Sequence, residues 1–125
     1  MIIGIGIDLI EISRIEAALT RYGERFLHRV FTPDEIAYAR RKHHPAPHLA
    51  GRFAAKEAAL KALGTGKSGG IRWRDVEILS SPGGKPRIEF HGRARERLRT
   101  LRGERVHVSI SHGRDLAIAA VIIEG

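Results

Sequence analysis

Apolar and polar positions change period along the chain, and the changes mark its elements. Ile3, Ile5, Ile7 and Leu9 alternate with Ile2, Gly4, Gly6, Asp8 and Ile10, the two-residue period of a β-strand. Glycines inside a strand mark a bulge or a place where another backbone or a ligand comes close, and Asp8 shares their face. From about Glu11 to Tyr22 the period is helical, with Ile12, Ile15 and Leu19 on one side and Arg14, Ala18 and Arg21 on another. Arg25 continues the basic side past Gly23; such a stripe is ordinarily a solvated face. Thr32-Pro33-Asp34-Glu35 is a capping box with proline at the first helical position, which predicts a helix from Pro33 to about Lys42. The segment HHPAPH is expected to break it.

The stretch LAGRFAAKEAALKALGTG, Leu49 to Gly66, predicts a helix over Leu49 to Leu63 with a glycine stop. Alanine, leucine and phenylalanine cover almost every face, so this helix belongs inside the protein. Charges are rarely carried there unless something pairs with them, which makes Arg52, Lys56, Glu57 and Lys61 the informative residues. At ~100° per residue Lys56 falls within the stripe of Leu49, Phe53, Leu60 and Leu63, while Glu57 and Lys61 lie side by side on its flank. A solvated Glu–Lys pair worth about 0.2–0.5 kcal/mol is one reading. The alanines on the remaining faces favour another, a buried carboxylate among cations that acts as a metal ligand or an acid/base group.

After a loop at Lys67-Ser68-Gly69-Gly70, a strand is predicted from Trp73 to Leu79. A turn at SPGGKP follows, with a returning strand from Arg87 to Phe90. Arg93 to Arg102 reads as a basic helix with Leu98 and Leu101 inward. Arg105 to Ile110 and Leu116 to Ile123 read as strands, the last so apolar that it should be central or covered on both faces. The expected architecture is α+β, one domain over residues 1–125, with a mainly antiparallel sheet packed against the long buried helix.

Composition narrows the partners. The net charge of +8 and a pI near 10.8 call for something anionic: nucleic acid, a phosphate-rich cofactor or an acidic protein. Aromatic residues are only 6% of the chain, without the basic–aromatic alternation that stacks bases, which counts against single strands and RNA. The absence of cysteine excludes disulfides, thiol catalysis and Cys-based metal sites. No apolar run reaches the roughly 18 residues that span a bilayer. MIIGIGIDL lacks a basic n-region, so neither a signal peptide nor an anchor is expected, and a cytoplasmic location is the default.

Several apparent motifs fail on spacing. GTGKS lacks the upstream glycine of a Walker loop, that place being Lys61, and it follows a helix instead of a strand. His43, His44 and His48 suggest zinc, but the intervening prolines prevent a helical i,i+4 face, and a surface loop is the expectation. His112, at the end of Ser109-Ile110-Ser111-His112, reads most simply as a turn histidine. Asp8 and Glu57 remain, acids on elements that otherwise read as core. Asp8 has a plain alternative as a cap for the following helix. Paired carboxylates completed by waters and phosphate oxygens are how Mg²⁺ is held.

GIGIDLIE, LAGRFAAKEAALKALGTG, GGKPRIEF and VHVSISH, in this order over nearly the whole chain, resemble holo-acyl-carrier-protein synthases, the short class of 4'-phosphopantetheinyl transferases. The resemblance implies transfer of phosphopantetheine from coenzyme A to a serine of apo acyl carrier protein, with release of adenosine 3',5'-bisphosphate. It implies that Asp8 and Glu57 hold Mg²⁺, that Glu57 accepts the serine proton directly or through water, and that Lys61 stabilises or protonates the departing phosphate. By the same resemblance Arg52, Lys56, Lys61, Gly64, Gly66, Lys85, Pro86 and His112 form the coenzyme A cradle. Arg14, Arg21 and Arg25 dock the acidic carrier, and the assembly is a homotrimer with each cleft between subunits. Asp8 is followed by Leu9-Ile10 where the longer class carries D-x-E. Gly83-Gly84 stands where Asn-Gly or Asp-Gly is common, and Ser111 where threonine is frequent. The competing reading is a small basic nucleic-acid-binding domain, resting on the charge and on the arginines between Arg93 and Arg102.

Overall fold

In the computed structural model, which describes all 125 residues, strand β1 (Ile2–Glu11) leads through helices α1 (Ile12–Tyr22), α2 (Glu24–Val30) and α3 (Pro33–Arg40) into the long helix α4 (Pro45–Leu63). A hairpin of β2 (Val76–Ser80) and β3 (Pro86–Phe90), helix α5 (Gly92–Thr100) and strands β4 (Arg105–His112) and β5 (Leu116–Glu124) complete the chain. Every strand pairing is antiparallel. The expected sheet is divided in two, a three-stranded sheet of order β1-β5-β4 and the separate β2–β3 hairpin. The apolar β5 is central, as its composition requires.

Glycine and alanine set how α4 meets this sheet. A Cβ on Gly4 would lie 2.1 Å from the Ala62 carbonyl oxygen, and one on Gly6 would lie 1.8 Å from that of Ala58. The strand glycines therefore exist to let helix backbone lie directly on strand backbone. Ala54, Ala55, Ala58 and Ala59 are fully buried on the helix side, and Ala117, Ala119, Val121 and Ile123 of β5 are buried opposite them. Burial of this apolar surface, at about 25 cal/mol per Å², holds the layers together.

Three boundaries differ from the sequence reading. HHPAPH does not end in a loop: α4 begins at Pro45, and its prolines stand in the first turn, where no backbone N–H is required. His48 is thereby a helical residue. Gly23, at φ 57, lets the chain turn into α2, a helix the basic stripe around Arg25 had concealed. Trp73–Asp75 forms a short 3-10 turn, so β2 starts at Val76. No helix is long and apolar enough to cross a membrane.

The capping box at Thr32 forms as read, but its glutamate does more than cap. Glu35 Oε1 accepts from the Thr32 amide at 2.7 Å and from Lys56 Nζ at 2.8 Å, and its Oε2 accepts from the Ile78 amide at 2.8 Å. Lys56 Nζ also donates to the carbonyls of Val76 (2.5 Å) and Trp73 (3.2 Å). All the protons of this ammonium are engaged within the protein. Burial pushes the Lys56 pKa down, and the facing Glu35 opposes that push.

Candidate active site

The glycine-mediated contact between β1 and α4 brings Asp8 beside Glu57. Lys61, one turn further along the helix, donates to Asp8 Oδ1 at 2.9 Å and to the Ile7 carbonyl at 3.0 Å. Glu57 is half-buried, and its pKa is raised to about 7, first by burial and then by the hydrogen bond and charge of Asp8; Lys61 and Arg14 partly offset this. The Asp8 carboxylate in turn raises the Lys61 pKa. Two acids thus share one exposed ammonium, an uncompensated pair of hard oxygen donors of the kind that suits Mg²⁺. Asp8 does not cap α1: Glu11 is the residue at that position, and no side-chain cap bond forms there.

A second cluster lies at the other edge of the three-stranded sheet, since β1 and β4 are its outer strands. A cavity of about 180 Å³ is lined by Tyr38 of α3, His48 and Arg52 of α4, Ser80 and Pro86 of the hairpin, and His112 of β4. The Arg52 guanidinium stacks 3.8 Å from the Tyr38 ring centroid and donates to Ser80 Oγ at 3.1 Å. Its buried Nε has no partner. An orphaned guanidinium donor in a cationic cavity is what an anion site looks like before its ligand arrives.

Of the residues expected to cradle coenzyme A, Arg52, Pro86 and His112 line this one cavity, while Lys85 is exposed at the hairpin turn outside the cavity lining. Gly64, the left-handed cap of α4, and the exposed Gly66 lie just past Lys61, at the acid-pair end of the helix. Lys56 is a correction: its side chain is 0% exposed and bound to Glu35, so it offers nothing to a cofactor. Sequence reasoning missed Tyr38, His48 and Ser80. The i,i+4 spacing of His48 and Arg52 would have flagged the histidine, had the helix been started at Pro45. Glu77, Glu89 and His91 also bring ligand atoms within 4.8 Å of one another. There the Glu77 carboxylate is engaged by the Thr32 hydroxyl and the His91 ring.

A profile of the 4'-phosphopantetheinyl transferase superfamily matches residues 4–121. The chain belongs to this superfamily. Within it the chain is 51% identical to the holo-acyl-carrier-protein synthase of Nitratidesulfovibrio vulgaris over 124 residues, 99% of either chain. The crystal structure of holo-acyl-carrier-protein synthase from Neisseria meningitidis superposes with a TM-score of 0.92 at 35% identity, covering 100% of both chains. That of the Helicobacter pylori synthase in complex with coenzyme A has a TM-score of 0.85 at 35% identity, covering 96% of this chain and 99% of that one. The transferase fold accounts for the whole β1-to-β5 arrangement, and the chain is a phosphopantetheinyl transferase of the holo-acyl-carrier-protein synthase type.

Proposed function

We propose that this transferase moves 4'-phosphopantetheine from coenzyme A to a serine of apo acyl carrier protein, releasing adenosine 3',5'-bisphosphate, with Asp8, Glu57 and Lys61 as the reacting centre. The observation that carries this reading is the paired acid: the close contact of β1 with α4 sets Asp8 and Glu57 side by side, with the exposed Lys61 ammonium on Asp8, so that carboxylates able to take a proton and a cation for a departing phosphate meet at one open edge. In the transfer, the carrier serine Oγ forms a bond to the β-phosphorus, the bond to the bridging oxygen of the adenylate breaks, and the serine proton goes to Glu57. Lys61 faces the departing phosphate and stabilises its charge. Asp8 and Glu57 are the residues that would hold Mg²⁺. When bound, the ion supplies charge neutralisation to the pyrophosphate.

The cavity at the opposite edge would take the adenosine and its 3'-phosphate, because Arg52 keeps an unpaired donor there. The two clusters lie on opposite edges of the sheet, so a cleft between two subunits would set the acid pair of one chain against the Arg52 cavity of the next. The outer sheet face supports an assembly that brings them together: Ile5, Ile7 and Leu9 are 63%, 58% and 56% exposed, and Leu116 and Ile118 continue the patch on β5. Our reading of the assembly is a homotrimer with the site between subunits, which this exposed apolar face would help to bury. Arg14, Arg21 and Arg25 form the carrier-docking face. Beside them lies a hollow of about 520 Å³ with an apolar floor including Phe26 and Phe53 and a rim of Arg25 and Arg29. An acidic helix with an apolar edge fits that chemistry. A cytoplasmic location accords with coenzyme A as the co-substrate. The nucleic-acid alternative loses weight because Arg95 and Arg97 of α5 donate to the carbonyls of Phe90 and Leu63, helix and strand ends of the protein itself.

The experiment is to incubate the protein with apo acyl carrier protein, coenzyme A and Mg²⁺, and to weigh the carrier by mass spectrometry. A phosphopantetheine mass gain that disappears with Asp8→Asn is expected; an undiminished gain with that variant would sink the assignment. Ile7→Arg should shift the sedimenting species from trimer to monomer.

A further inference from the structure

Among the residues around the Arg52 cavity, His48 stands apart because the motifs of the family do not include it and its local sequence reads as loop. In the structure it is fixed on α4, half-buried, with its ring edge-on to His112 at 5.2 Å and to Tyr38 at 6.0 Å between centroids. It lies one helical turn before Arg52 and lines the same cavity. We propose that His48 is a further binding residue of this cavity, which receives a proton as the 3'-phosphate of the cofactor enters and then donates a charge-assisted hydrogen bond to it. The proposal rests on the reading that the cavity takes the nucleotide end of coenzyme A.

The groups facing the imidazole are Tyr38 and Lys42 from α3 and the turn after it, Arg52 from its own helix and His112 from β4. The hairpin contributes the uncharged Ser80 and Pro86. No carboxylate is among them. Burial holds the His48 pKa below the ordinary histidine range, and His112, Lys42 and Arg52 push in the same direction. The unliganded ring is therefore neutral at pH 7, which spares the cavity a further unpaired charge. A phosphate dianion reverses the balance, since an opposite charge within hydrogen-bond reach favours the imidazolium. Arg52 supplies a permanent charge and its unpaired Nε; His48 supplies a charge only when there is an anion to meet it. Such a site discriminates for the 3'-phosphate without a standing desolvation cost in the empty protein.

Calorimetric titration of the full chain with Mg²⁺ at pH 7.5, in two buffers of different ionisation enthalpy, tests this with coenzyme A and with dephospho-coenzyme A, which lacks the 3'-phosphate. Wild type should take up a proton with coenzyme A and less with the dephospho compound. His48→Gln should bind coenzyme A about tenfold more weakly, with the uptake lost. It should match wild type for the dephospho compound. His48→Phe, which keeps the ring packing, should behave likewise, separating the proton from the shape. If both His48 variants retain wild-type affinity and uptake while Arg52→Lys loses its preference for coenzyme A, His48 is not a ligand and the cavity reading stands. If none of the three variants alters that preference, the cavity does not hold the 3'-phosphate and the proposal falls with it.

Discussion

Helix α4 carries two carboxylate–lysine constellations that differ in how completely they are satisfied. In the core, Lys56 and Glu35 meet at 2.8 Å with both side chains 0% exposed, and the ammonium and the carboxylate find every other partner they need in nearby backbone. At the β1 edge, Asp8 and Glu57 share the single ammonium of Lys61, which is itself 55% exposed. The first arrangement is neutral, closed and complete. The second holds an excess of negative charge and an open side. A balanced buried pair can only hold structure together, whereas an unbalanced one has capacity left for a cation, a proton and a substrate.

The sharpest way to break this contrast is to remove one carboxylate from the open cluster. Glu57→Gln should lower transferase turnover by about 10²–10⁴-fold while leaving the fold intact, measured as phosphopantetheine transfer beside a circular dichroism melt. A comparable loss of stability would show that the open cluster is structural after all.

The converse change is Lys56→Met. It leaves Glu35 buried and unpaired, and should cost about 3–5 kcal/mol in chemical denaturation. Adding Glu35→Met should recover part of that loss, because the double variant buries no charge. Failure of Lys56→Met to destabilise would erase the distinction between the two lysines.

A smaller effect separates the clusters by pH. In the metal-free protein Glu57 keeps its proton up to about pH 7, against 4.5 for an unperturbed glutamate, so the folded state binds more protons than the unfolded state across that window. Its contribution to stability is greatest below the lower value and is lost as pH rises through about 7. In chelator, the wild-type melting temperature should therefore fall relative to that of Glu57→Gln between pH 5 and 8, by about 3 °C. Added Mg²⁺ should narrow the gap at pH 8. Equal pH profiles for the two proteins would mean that Asp8 and Glu57 do not compete.

The mildest change lies outside both clusters. Arg21→Glu on α1 should raise the KM for an acidic carrier several-fold at low salt, and the difference should shrink at 0.5 M NaCl, where the Debye length is only about 4 Å. Salt-independent kinetics would remove the docking role from that helix and leave α4 to account for carrier binding.

Local pattern was enough for much of this. The strand at Ile2–Glu11, the capping box at Thr32, the hairpin and the central position of β5 all follow from periodicity and turn chemistry, which act between residues near in sequence. Asp8 and Glu57 were legible because acids are conspicuous on elements otherwise made of alanine, glycine and isoleucine. Prolines misled where they start a helix as readily as they end one, which hid His48. Gly23 looked like an end and proved to be a joint.

What the sequence determined by itself, then, is the set of elements and the presence of unusual charges on α4. Which charges are satisfied inside the fold and which stay open to solvent was decided only in three dimensions. Lys56 and Lys61 share a helix and read alike on paper. Glu35, distant in the chain, claims the first, and Asp8 with open solvent claims the second. A side chain's chemistry depends on whether its donors are already satisfied, and that is a property of neighbours brought together by folding.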